Sequence, residues 1–194
     1  IFGNNGYGMH LEDSVVIDAE DLNVSSNTGT GLEITDNVTG EFSNSRFISN
    51  GVHGSEISSA SPSFYNCRIS NNGEDGVQVR DGSEAVFDFC TVSENDNNGF
   101  YYSTSSNGTV SNSEIIDNGV YGVKIWGNSF PTFNFNHIYG NQGDENIEDF
   151  EVLTNDGDGY NGEWYPRYIK SISWEAGGSN ICNPDNNGNN CGGY

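Results

Sequence analysis

A glycine followed by alternating apolar residues returns along this chain at almost constant spacing: Gly8-Met9, Gly31-Leu32, Gly54-Ser55, Gly76-Val77, Gly99-Phe100 and Gly122-Val123. The intervals are 23, 23, 22, 23 and 23 residues, and a looser copy, Asn146-Ile147, follows after 24. Asparagine stands four positions before each of the first six anchors, at Asn4, Asn27, Asn50, Asn72, Asn95 and Asn118, and Asn141 adds a seventh, displaced by one residue. A period of this length marks stacked copies of one unit, each too small to bury a core alone.

Within each copy the pattern has period two. Met9/Leu11, Leu32/Ile34, Val77/Val79, Phe100/Tyr102 and Val123/Ile125 point one way and the residues between them the other, as in a short strand with one buried face. A second apolar column holds Val24, Phe47, Ile69, Val92, Ile115 and Ile138, and a less regular third holds Ile17, Phe42, Phe64, Val86, Val110 and Phe133. Three strands per copy, joined by Gly, Asn and Ser turns, predict an all-β fold: a parallel β-helix of about seven rungs of 22–24 residues, rising about 4.8 Å per rung. Asparagine suits the left-handed backbone of a tight bend, and its stacked amides can bond rung to rung. Glycine at the anchor avoids a Cβ clash.

The N-x-x-x-G-h-x-h repeat resembles the right-handed parallel β-helix repeat family, the pectate-lyase-like superfamily, over residues 1–150. That resemblance implies a right-handed solenoid, and in the family's enzymes the outer face of the strand after each glycine holds the active site. The family also includes non-catalytic surface proteins, so the fold alone does not assign an activity.

Residues 151–194 leave the pattern and read as a C-terminal cap over an otherwise open solenoid end. Cys182 and Cys191 bracket a coreless Asn/Gly loop and read as a disulfide, which implies an oxidising compartment. Cys67 and Cys90 occupy the same place in successive rungs, about 4.8 Å apart, and suit either a bridge or two buried thiols.

With 28 acidic residues against 6 Lys and Arg, the net charge is −22, which repels a phosphate backbone and excludes nucleic acid as a partner. No run of about 18 apolar residues exists to span a membrane. Hydrophobic residues make up 33% of the chain, thin for a globule, but 24 aromatic rings argue against disorder. The chain opens inside a repeat, so a piece of a longer extracellular or cell-surface protein is expected.

Two outward files follow from the strand reading. One is His10, Glu33, Glu56, Gln78, Tyr101 and Lys124; the other is Glu12, Thr35, Ser58, Arg80, Ser103 and Trp126. At the lower-numbered end, Glu12, Glu33 and Glu56 form a candidate calcium site or a solvated acidic face, because stacked carboxylates repel without a cation. Asp156 and Asp158 sit in a partial match to a calcium loop. At the higher-numbered end, Arg80, Tyr101, Tyr121, Lys124 and Trp126 are candidates for glycan contact, since flat rings stack on sugars and cations hold carboxylates. Asn23, Asn37 and Asn107 lie in glycosylation sequons.

Enzymes resembling this fold carry an Asp-Pro-His motif or paired aspartates on this face, whereas Gly8-Met9-His10-Leu11-Glu12 and Gly54-Ser55-Glu56-Ile57-Ser58 match neither. His10, His53 and His137 fall in three different files, so no His dyad is suggested. The reading is therefore a non-catalytic extracellular module, a structural or adhesive component of a cell surface or filament. Its expected partners are polysaccharide, surface proteins or further copies of itself. The alternative is a polysaccharide lyase or epimerase acting on acidic glycans, or a fragment of one, with Lys124 or Arg80 as the base, Tyr101 as another candidate, and calcium assisting.

Overall fold

The computed structural model describes residues 1–141 and the strands Phe150–Leu153 and Ile169–Ile172. Six turns of parallel strands coil about one core. The first sheet stacks Met9–Leu11, Leu32–Ile34, Ser55–Ser58, Val77–Arg80, Phe100–Tyr102 and Val123–Trp126, and Phe150–Leu153 continues it. The second runs from Val16–Glu20 through Thr39–Ser43, Ser61–Tyr65, Glu84–Asp88 and Asn107–Ser111. The third runs from Asn23–Ser25 through Arg46–Ile48, Arg68–Ser70, Thr91–Ser93 and Glu114–Ile116. The long strand Thr132–Tyr139 joins the second and third sheets, turning the corner at Phe135, and Ile169–Ile172 pairs with it.

The first two apolar columns form as the alternation predicts. Leu32, Ile34, Val77, Val79 and Phe100 line the first sheet's inner face; Val24, Phe47, Ile69, Val92, Ile115 and Ile138 line the third's. The second sheet corrects its expected column. Ala19, not Ile17, is in register with Phe42, and Phe87, not Val86, with Phe64; Val86 points outward. Ile17 lies two residues short of the regular place, whereas the cause of the Val86 error is the single 22-residue interval. It removes one residue between the strands Ser55–Ser58 and Ser61–Tyr65, so Phe64 lies nearer its glycine than its equivalents do. The result is a file of rings, Phe42 on Phe64 at 5.1 Å and Phe64 on Phe87 at 4.6 Å, both stacked.

The asparagine ladder is continuous. Asn4, Asn27, Asn50, Asn72, Asn95 and Asn118 each donate from Nδ2 to Oδ1 of the next, ending on Asn141, at 2.8–3.1 Å. Each Oδ1 also accepts the preceding asparagine's backbone N–H. The left-handed bend, however, is not on these asparagines. It falls one residue earlier, on Ser26, Ser49, Asn71, Glu94, Asp117 and Gly140. Asparagine is needed at the ladder for its amide, and the backbone turns beside it.

The anchor glycines answer to the ladder. A Cβ on Gly8, Gly31, Gly54, Gly76 or Gly99 would stand 2.5–2.9 Å from the ladder Nδ2 of the following rung. The seventh copy departs from its expected position, because Val123 pairs with Phe150, 27 residues on, rather than with Ile147. Cys67 and Cys90 are free, buried thiols, so the cross-rung bridge is not formed. Asp156, Asp158, Cys182 and Cys191 lie outside the described residues.

Candidate functional site

The first sheet's outer face carries the residues that can meet a ligand. Parallel pairing fixes their order: His10 opposite Glu33, Glu33 opposite Glu56, Glu56 opposite Gln78, Gln78 opposite Tyr101 and Tyr101 opposite Lys124. Arg80 pairs with Ser58 in the neighbouring file, and Trp126 ends its strand. The first file stacks in the predicted order; in the second, Ser58 and Arg80 are in register and Ser103 is buried.

At the acidic end the carboxylates are engaged. His10 lies between two of them, with Nδ1 2.5 Å from Glu33 and Nε2 3.1 Å from Glu12. Those hydrogen bonds raise the His10 pKa, Glu12 contributing most, against the opposing effect of burial. Tyr7 stacks on the His10 ring at 5.8 Å, and its hydrogen bond to Glu33 pushes the phenol upward in turn. Glu56 is held by Arg80, with Nη2 at 2.6 Å and Nε at 2.9 Å, while Arg80 Nη1 reaches Asp81 at 3.2 Å. Among the described residues no three His, Cys, Asp or Glu stand together as a metal site. His10 engages one oxygen each of Glu12 and Glu33, and Arg80 engages one oxygen of Glu56.

Within the expected glycan cluster, Arg80 is paired with Glu56 and Asp81. The remaining four residues stay together at the rungs of Phe100–Tyr102 and Val123–Trp126. Lys124 Nζ lies 5.6 Å from the Tyr121 ring and 6.0 Å from the Tyr101 ring, within cation–π range. Trp126 is 46% exposed at the end of the same strand. The surface combines three aromatic groups with one ammonium.

Apart from Tyr121, sequence reasoning missed the row just before each anchor glycine, where Tyr7, Thr30, His53, Asp75, Asn98 and Tyr121 are equivalent. Asp75 is buried, and burial raises its pKa; its N–H donates to His53 Nδ1 at 3.2 Å, and Asn98 donates to its Oδ1 at 2.7 Å. The signal was available as polar residues at one fixed place in the repeat. Of the sequons, Asn23 and Asn37 are exposed. Asn107 is half-buried, donating to Ser105 and accepting from Phe130.

A family model described as the right-handed beta helix region matches residues 7–152. Among solved structures, the crystal structure of pectate lyase Pel9A is similar at 15% identity with a TM-score of 0.49, covering 73% of this chain and 54% of that one. The chain thus spans about half the length of that protein. A search of curated proteins finds no match. No helix among the described residues is long and apolar enough to cross a membrane.

Proposed function

The chain belongs to the right-handed β-helix family, and from that premise we propose that it is a non-catalytic extracellular module that contacts glycans through Tyr101, Tyr121, Lys124 and Trp126. The observation that carries this reading is the placement of Lys124 Nζ over two tyrosine rings beside an exposed tryptophan. Rings on successive rungs present flat apolar faces to the C–H faces of sugars. The ammonium, held at one edge, donates to a hydroxyl or carboxylate oxygen. Arg80 is excluded from the contact set because Glu56 and Asp81 engage it.

The strongly negative field of the chain favours neutral or sparsely charged sugars over dense polyanions. Such a surface suits a structural or adhesive component that meets polysaccharide, surface proteins or further copies of itself at a cell boundary. Calcium enters the proposal through Asp156 and Asp158. Melting with and without chelator tests it, and identical curves remove the ion.

The glycan reading is tested by titrating neutral and uronate oligosaccharides into the wild-type chain and into Trp126→Ala and Lys124→Ala. Binding that weakens about tenfold or more in Trp126→Ala supports it, being the loss of one stacked ring. A blank titration across the panel removes it. Sustained formation of unsaturated uronate product, abolished in Lys124→Ala, replaces it with a lyase.

A further inference from the structure

The third sheet holds a second charged feature that the first sheet's chemistry does not use. Arg46 and Arg68 are direct partners on adjacent rungs, both exposed on the outer face. Like charges directly opposite each other in a sheet repel. They form two of six cations in a chain with 28 acidic residues, so carboxylate partners are abundant in the composition. The rungs on either side nevertheless offer neutral neighbours, Asn23 beside Arg46 and Thr91 beside Arg68.

Among the described residues Arg46 makes no ion pair. Arg68 reaches Glu94 at 3.5 Å, but that same oxygen takes a shorter bond from Asn71 at 2.9 Å. Ser70 Oγ accepts from Arg68 Nε at 3.0 Å and fixes the direction of the guanidinium. Arg80 shows the contrast: two carboxylates close on it.

We propose that Arg46 and Arg68 form an oxyanion site, taking one sulfate, phosphate or carboxylate group between two guanidinium forks about one rung apart. A bound oxyanion converts the repelling pair into a bridged one. The net charge of −22 restricts the ligand to a compact anionic group on a small molecule, because an extended polyanion is repelled by the rest of the surface.

The test is a low-salt titration of the whole chain with sodium sulfate, sodium phosphate and sodium glucuronate, followed by NMR of the arginine Nε–H resonances. The expected result is a saturable shift of the Arg46 and Arg68 signals with at least one anion, the tightest of the three naming the ligand class. Affinity should fall about tenfold in Arg46→Gln, a variant of an exposed side chain, and rise in Glu94→Gln, which releases Arg68. Absence of any saturable shift with all three anions overturns the proposal, as does equal affinity in Arg46→Gln.

Discussion

Both Nε and Nη2 of Arg80 close on one oxygen of Glu56, across the junction of neighbouring rungs, at 2.9 and 2.6 Å. Glu56 is also in register with Glu33 on its other side, so Arg80 offsets the charge of one of two adjacent carboxylates. Arg80→Ala is expected to lower stability by about 1 kcal/mol, the partly exposed guanidinium limiting the loss. Arg80→Ala/Glu56→Gln should recover most of it. Denaturant midpoints of the three proteins check this, and an undiminished Arg80→Ala midpoint contradicts it.

His10 makes the first rungs pH-sensitive. Its pKa is raised above the ordinary 6.5 by Glu12 and then Glu33. A group whose folded pKa is raised gives its full stabilisation below the unfolded value and loses it as pH climbs through the folded one. Amide exchange in Met9–Leu11 and Leu32–Ile34 should therefore quicken beyond the intrinsic base-catalysed trend as pH rises from 6.5. His10→Gln should remove the excess, and an unchanged profile in that variant rejects the assignment.

Asn72 is fully buried and its side chain makes four hydrogen bonds to three residues: it donates to Asn95 and Phe47, and accepts the backbone and side-chain N–H groups of Asn50. Asn72→Ala strands several of these at once, so a loss of about 3 kcal/mol or more is expected. Gly54→Ala should cost a similar amount by a different route, its Cβ meeting Ile69 Cγ2 most closely, then Asn72 Nδ2 at 2.7 Å and Gly76 O at 2.8 Å. Because both act on one contact, the double variant should be less destabilised than the sum of the singles. Urea denaturation of the cycle measures this, and strict additivity contradicts the shared contact.

What the sequence reveals is what repeats. The anchor glycines, the ladder and the first outward file depend on spacing alone, and they stack as spacing predicts. The failures are local. A deletion before Ser61 shifts Phe64 against its glycine, so counting selects Val86, where hydrogen bonding selects Phe87. Side-chain direction is hidden as well: Arg80 and Tyr101 are close in the files, and only geometry shows that Arg80 pairs with Glu56. The stacked Arg46 and Arg68 stood one place before the second apolar column throughout, but an isolated pair does not form a repeat.

Cys67 and Cys90 hydrogen-bond to main-chain carbonyls of Phe42 and Phe64. The neighbouring Cys67 thiol and burial push the Cys90 pKa upward, while the Cys90 thiol holds that of Cys67 lower, so it is burial that closes both to a reagent. A thiol reagent at pH 8 should leave both untouched in the native protein and modify both after unfolding. Subtracting the signal of Cys67→Ser/Cys90→Ser isolates the pair, and rapid native labelling contradicts the packing.

Tyr102 offers a stabilising change. Its ring stacks on Phe100 at 6.1 Å and meets Phe133 edge-on at 6.2 Å, fully enclosed in the solenoid. Its hydroxyl has no hydrogen-bond partner among the described residues, and burial pushes its pKa upward. An unsatisfied buried hydroxyl costs about 1–3 kcal/mol, whereas phenylalanine keeps the ring contacts without that penalty. Tyr102→Phe should therefore raise stability by about 1 kcal/mol, the vacated space offsetting part of the gain. Tyr102→Leu, which loses both ring contacts, should lower it. Chemical denaturation distinguishes the two, and a Tyr102→Phe protein weaker than wild type would mean that the hydroxyl has a partner after all.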